Sequence, residues 1–347
     1  MNNPKLKYLT ASLLIAMSMS TSSVIAEPKL EVSGTVEIEI SSGEDHTAQV
    51  KGSDIALATV EIGFDAKINN DVSAHILVLH EGDASGLPVI DEGTISINGE
   101  SAFLNAGRMY VPFGNFESNM ISDPLTLELG ETQETAVQVG FSSGGFQASL
   151  YAFNGDADQV TTNIPADNDV IDDFGVSIAY SMSSGSLNLD LGLDFINNMA
   201  ETDTLQGALL AAPEVTEHTA GTALHAIISV GAFKFIAEHV TASDDFTTTD
   251  LQFNGAKASP SASNIEIAYI TAMGGRDVIV AIAQQSTADV DVAIGLPETR
   301  SMLSVSTTVA GDVALAVEFS KSSDYAIADG GTGESGSTVT AQLAVEF

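Results

Sequence analysis

The groups with the most chemical capacity in this 347-residue chain are carboxylates: 47 Asp and Glu against 11 Lys and Arg, a net charge of −36. Two sets of them have a pattern. Glu31, Glu37, Glu39, Glu61 and Asp65 share the polar face of two N-terminal segments whose other face is apolar. Glu117, Asp123, Glu128, Glu131 and Glu134 are spread through a Gly- and Pro-punctuated stretch that begins at Gly107-Arg108. Carboxylates so placed can select ions or bind cations. A third grouping, Asp167-Asn168-Asp169 with Asp172-Asp173, has oxygen ligands at close spacing that calcium could use. It lacks the glycine and terminal glutamate of a dedicated calcium loop, so it reads as solvated surface acid and no metal site is assigned. The six histidines, His46, His75, His80, His218, His225 and His239, form no HExxH or similar metal spacing. Ser, His and Asp are all present, but no nucleophile stands beside a base in a recognisable motif. Neither catalytic residues nor a cofactor are expected, and the reading is of a non-enzyme. The charge excludes nucleic acid as a partner, because phosphates need clustered Lys and Arg.

Lys5 and Lys7, an apolar stretch from Leu9 to Met17 and the small residues around Val24-Ile25-Ala26 form the three parts of an export signal, so residues 1–26 are expected to be cleaved. Removal leaves 47 acids against 9 bases, or −38. The chain has no cysteine, hence no disulfide and no lipid-modified cysteine at that site. Nothing after Ala26 reads as a transmembrane helix.

What the mature chain, 27–347, does show is alternation. Leu30, Val32, Val36, Ile38 and Ile40 oppose Glu31, Ser33, Thr35, Glu37 and Glu39; Ala58, Val60, Ile62, Phe64, Ala66 and Ile68 oppose Thr59, Glu61, Asp65 and Lys67. Period two with one oily face is the signature of a strand between hydrocarbon and water. The pattern recurs to give sixteen strands, near 30–40, 58–68, 72–81, 93–98, 102–111, 133–142, 146–153, 174–182, 187–196, 222–230, 232–241, 262–272, 277–286, 299–309, 313–321 and 337–347. Their connections alternate in length. Short turns at Asn69–Asp71, Asn98-Gly99 and five similar places separate long polar segments such as 42–52, 82–92, 112–132 and 154–173. The expectation is an all-β fold: a transmembrane antiparallel β-barrel in the outer membrane of a Gram-negative-type bacterium, with short periplasmic turns and long external loops. A stripe left facing water would cost roughly 25 cal/mol per Å²; in lipid it costs nothing, and closure leaves no sheet edge. The polar inner face predicts a water-filled interior. With no Trp and 6% aromatics, the interfacial girdles must be thin and built from Phe and Tyr. Outer-membrane lipid and lipopolysaccharide are the expected surroundings.

Residues 107–140 read GRMYVPFGNFESNMISDPLTLELGETQETAVQVG. Gly107-Arg108, Val111-Pro112-Phe113-Gly114, Ile121-Ser122-Asp123-Pro124-Leu125-Thr126 and Leu129-Gly130-Glu131-Thr132 resemble the outer-membrane siderophore porins of the LbtU type, themselves akin to the phosphate-selective porins. The resemblance implies a plug-less barrel that carries ferric siderophore without TonB. The last strand ends on Phe347 and resembles the C-terminal signal read by barrel-assembly machinery. The motif falls on the third external loop, about 112–132, which either folds inward as a constriction or lies as an ordinary surface loop. An inward fold would use the stiffness of Pro112 and Pro124 and the bends allowed by Gly114 and Gly130, and it would present Arg108, Glu117, Asp123, Glu128, Glu131 and Glu134 to the passage. Strict alternation turns Arg108 toward lipid, so either it sits at the rim or a bulge near Gly107 turns it inward. The lumen-facing acids Glu31, Glu37, Glu39, Glu61 and Asp65 favour cations, whereas many ferric siderophores are anions. Three readings therefore stay open: siderophore uptake, a general cation-preferring diffusion porin, and a barrel that anchors surface loops for a partner. Whether three barrels assemble into a homotrimer is also left open.

Overall fold

The computed structural model describes residues 28–82, 87–157, 159, 170–211, 214–290, 294–310 and 313–347. The export signal and Asp167–Asp169 lie outside the described residues. In chain order the strands are β1 (Lys29–Glu44), β2 (Lys51–Lys67), β3 (Val72–Glu81), β4 (Val89–Asn98), β5 (Ala102–Tyr110), β6 (Gln133–Ser143), β7 (Phe146–Phe153), β8 (Asp173–Ser184), β9 (Leu187–Ile196), β10 (Gly221–Val230), β11 (Phe233–Ala242), β12 (Gln252–Phe253), β13 (Ala256–Lys257), β14 (Ser261–Met273), β15 (Arg276–Ala288), β16 (Thr299–Ala310), β17 (Val313–Ser323) and β18 (Ser335–Glu346). Sixteen of them close into one antiparallel barrel in sequence order; β12 and β13 form a separate two-stranded hairpin in the long segment between β11 and β14. Two short helices, α1 (Leu125–Gly130) and α2 (Asp203–Gln206), lie in the segments after β5 and β9.

Closure is a matter of register. β1 pairs with β2 on one side and with β18 on the other, from Thr35 opposite Glu346 to Glu44 opposite Ser337. Beyond the last rung, Gly34 N donates to Phe347 O at 2.9 Å and Phe347 N donates to Gly34 O at 3.0 Å. The Phe347 ring lies over Gly34 so closely that a Cβ there would meet it at 2.6 Å. Glycine at this point lets the terminal ring seal the seam.

The outer face is oily all round the ring. Ile62, Ile76, Ile95, Val139, Leu193, Leu224, Ile267, Ile282, Leu303, Val317 and Leu343 are all exposed there, a pattern that only hydrocarbon can satisfy. Near the short-turn end Phe141, Phe146, Tyr180, Phe233 and Tyr269 are exposed on the same face, with Phe233 and Tyr269 rings 5.0 Å apart. These form the thin Phe–Tyr girdle that the composition demands.

Three observations revise the sequence reading. β2 begins at Lys51, not near 58, so β1 and β2 run on beyond the bilayer and the first long connection shrinks to residues 45–50. Pairing runs unbroken through Gly107 on both sides, so no bulge lies there; the bulge is one strand over, where β4 accommodates Asp91 between Ile90 and Glu92. The interior is also not polar throughout. In the half toward the long loops, Phe113, Leu125, Leu129, Tyr151, Phe153, Ile196, Met199, Leu205 and Val240 form one buried apolar cluster. Apolar residues at inward positions of the outer strand ends are covered by loops and need no water.

Candidate constriction and the mouth above it

The third long segment, L3 (residues 111–132), leaves β5 and enters the barrel. Its first anchor is Phe113, 1% exposed, seated over Gly221 of β10, where a Cβ would meet the ring at 2.9 Å. At Gly114 φ is +97°, a value that suits glycine, and the chain turns along the inner wall. Wall side chains then take its backbone amides one after another. Asp194 Oδ2 on β9 accepts from Gly114 N at 3.0 Å. Glu238 on β11 accepts from Asn115 N at 2.7 Å and from Phe116 N at 3.1 Å. Glu266 on β14 accepts from Asn119 N at 2.9 Å and Ser118 Oγ at 2.8 Å. Glu318 on β17 accepts from Ile121 N at 2.6 Å, Ser122 N at 3.1 Å and Ser122 Oγ at 2.7 Å.

The segment then comes back. Arg300 Nη1 on β16 donates to Asp123 O at 3.1 Å, and Gln285 Oε1 on β15 accepts from Leu125 N at 3.3 Å. Thr126 Oγ1 returns to Glu238 Oε2 at 2.7 Å. Helix α1 follows, with Leu125 and Leu129 fully buried. At its end Gly130 serves close packing, not a left-handed bend: a Cβ there would meet Val240 Cγ1 at 3.0 Å. Because β14 and β17 lie almost opposite β5 in the ring, this excursion carries the chain across the interior and back.

The expected site residues divide between three places. Glu117, Asp123 and Glu128 are on L3 itself. Glu117 forms an ion pair with Lys234 of β11, Asp123 is buried with its carbonyl held by Arg300, and Glu128 is half-buried in the first turn of α1. Arg108, Glu131 and Glu134 lie higher, at the long-loop mouth. Arg108 Nε donates to Asp91 O at 3.2 Å and its guanidinium also donates to Gln133. Together with Glu134, Asn154, Asp156, Asp203 and Gln206 it lines a recess of about 470 Å³. Glu131 is buried against α2, its carbonyl accepting from Asp203 N at 2.9 Å. Burial, reinforced by the charges of Asp203 and Asp123, pushes its carboxyl up to about 10. The third place is the β1–β4 wall. Glu37 is buried, Glu39 accepts from Gln342 Nε2 at 3.0 Å, and Glu61 lies within reach of the charges of Glu37, Asp91 and Glu92. Toward the short-turn end Asp65 pairs with His75 at 2.8 Å and Glu31 with Lys29.

Asp194, Glu238, Glu266 and Glu318 escaped the sequence reading. The available signal was an acid at an inward position on each of four later strands, alone on β11, β14 and β17 and beside Asp190 on β9. Their partners, L3 amides as far as 197 residues away, leave no local mark.

A family profile described as Gram-negative porin matches residues 10–347. This chain belongs to the Gram-negative porin family. A Coxiella burnetii protein designated UPF0422 is 26% identical over 344 residues, covering 92% of this porin and 72% of that protein. A Legionella pneumophila (strain Lens) protein of the same designation is 24% identical, with 92% and 67% covered. Among solved structures, the anion-selective porin from Comamonas acidovorans superposes with a TM-score of 0.62 at 15% identity, covering 92% of this chain and all of that one. The Acinetobacter baumannii outer membrane channel DcaP gives 0.61 at 13%, with 95% and 100% covered. Pseudomonas putida OprB gives 0.64 at 9%, with 92% and 94% covered. Sixteen closed strands, an oily outer face and this family together place the porin in the outer membrane as a channel. Proteins of this family and fold are channels and not enzymes.

Proposed function

We propose that this porin is a diffusion channel narrowed by L3, and that its remaining passage runs between L3 and the β18–β1–β2–β3–β4 arc and favours cations. The observation that carries this reading is the path of L3, tied by wall carboxylates to β9, β11, β14 and β17. Those bonds engage the acids of the far wall, while the partly exposed Glu39, Glu61 and Glu92 stand on the near one. Fixed negative charge beside a narrow aqueous path concentrates cations and repels anions. Reversal potentials across a salt gradient test the reading. Glu61→Gln with Glu92→Gln should lower the cation preference, and Asp123→Ala with Glu128→Ala should lower it less, because Asp123 is buried. Unchanged selectivity in the first pair would overturn the proposed route.

Ferric siderophore as cargo is supported by the resemblance of residues 107–132, the very stretch that forms L3 and its anchors. Block of the open channel by micromolar ferric siderophore would favour that cargo. Unaffected current would leave general diffusion, and silence of the folded protein in bilayers would favour a loop-presenting anchor. OmpT of Vibrio cholerae has been solved in a trimer form; we extend that assembly to this chain, with its mass in detergent as the check.

A further inference from the structure

From the external mouth, where the segments after β7 and β9 meet, the geometry points to a binding site for a divalent transition-metal ion of the zinc class, held by Asp172, Asp173 and His218. One ligand atom from each residue lies within 4.8 Å of the others. His218 Nδ1 is 3.8 Å from Asp173 Oδ1. Three ligands at bonds of roughly 2.0–2.2 Å around a tetrahedral ion stand about 3–4 Å apart, so a small inward movement of Asp172 completes the set.

A group of acids alone would mean little at the rim of so acidic a protein. The second observation is Asp173 Oδ1. The residue is 2% exposed, and this oxygen has no hydrogen-bond partner. A buried carboxylate oxygen without a donor must either keep its proton or meet a cation, and a metal ion supplies the second remedy. His218 Nε2 is likewise buried and without a partner. The ring is already oriented: Asn197 Oδ1 accepts from Phe174 N at 2.6 Å, and its Nδ2 stands 3.2 Å from His218 Nδ1.

The donor set chooses the ion. Calcium and magnesium take oxygen ligands, whereas one imidazole with two carboxylates suits zinc and its neighbours in the transition series. A recess lined by Glu217, His218, Asp244, Asp245 and Lys257 opens beside the site, three acids against one lysine. Because Asp172 and Asp173 follow the β7–β8 connection and His218 precedes β10, a bound ion would staple two external segments together.

The test is calorimetric titration of Zn²⁺ into the untagged, folded barrel in detergent micelles, with Ca²⁺ as the counter-probe. One Zn²⁺ per chain is expected, with His218→Ala and Asp172→Asn each weakening binding at least tenfold and Ca²⁺ failing to compete. Asp173→Asn separates ligation from folding: it should leave the melting temperature in EDTA unchanged or raised and abolish the rise that Zn²⁺ gives the parent. Zinc binding that survives His218→Ala, equal competition by Ca²⁺, or no saturable binding in a barrel that keeps its folded gel mobility would each overturn the site.

Discussion

Replacing Glu238 by Ala is the sharpest perturbation of the L3 tether. Its carboxylate accepts three bonds from L3: Asn115 N at 2.7 Å, Phe116 N at 3.1 Å and Thr126 Oγ1 at 2.7 Å. Because these join the outgoing and returning limbs of the excursion, one side chain holds both. Hydrogen bonds to a charged group contribute about 1.5–3 kcal/mol each. Part of that offsets the cost of keeping a carboxylate out of water, while each L3 donor left unsatisfied by its removal costs about 1–3 kcal/mol, so the net loss is on the order of 3 kcal/mol. At 1.4 kcal/mol per factor of ten, a loss of about 3 kcal/mol raises the population of detached L3 by roughly a hundredfold. Glu266, Glu318 and the buried leucines of α1 still hold, so the segment should fluctuate and not leave. In single-channel recordings Glu238→Ala should therefore show higher mean conductance with flicker that the parent lacks. Glu238→Gln, which keeps an acceptor for Asn115 N but no charge, should fall between. If Glu238→Ala conducts with the parent's amplitude and noise while keeping folded gel mobility, the tether is not what positions L3.

Three further outcomes follow from the same geometry. Leu129→Ala removes a fully buried side chain from the L3 core and should lower stability by about 2–5 kcal/mol in urea unfolding, more than the lipid-facing Leu343→Ala, which loses the transfer of its side chain into lipid but leaves no cavity. Glu131 holds its proton in the folded state up to about 10, far above the ordinary value near 4.5. Its contribution to stability is thus full below pH ~4.5 and declines as pH rises toward 10. Glu131→Gln, which never ionises, should match the parent near pH 4.5 and melt progressively higher than it up to pH 9; parallel melting curves would refute the assignment. Removal of Phe347 should reduce folded barrel in cells while detergent refolding still succeeds, on our proposal that barrel-assembly machinery reads this ring; equal loss in both would reduce its role to closing the seam over Gly34.

What the sequence disclosed and what it hid follow from where each residue's partner lies. Every barrel strand was legible because lipid imposes period two on each strand separately, and Ile38 needs no distant partner to show which way it faces. The ends blurred where that pressure stops: Gly52, Ser53 and Asp54 extend β2 beyond the bilayer, in strand conformation but without an oily face. Leu125, Leu127 and Leu129 alternate like a strand yet form a helix, because inside the barrel they are buried on all sides by L3's neighbours and the wall. The hairpin β12–β13 hid within a polar stretch, since two residues per strand give no period to read.

Arg108 shows the same limit from the other side. Alternation correctly made it anomalous, but the resolution came from the next strand, where the Asp91 bulge offers a carbonyl to the guanidinium. The carboxylates extend the argument. Read along the chain they are fixed charge, and charge alone suggests ion selection. In the folded barrel those on β9, β11, β14 and β17 each face backbone N–H groups of L3, groups that would otherwise lie inside the barrel without a wall partner. A segment of irregular backbone can cross a pore only if such donors are satisfied, and an acid can accept several at once where a serine or asparagine accepts fewer. Part of the acidity that looks like a selectivity filter is therefore the means by which the constricting segment is held. Any selectivity has to be sought on the opposite arc, where Glu39, Glu61 and Glu92 face inward.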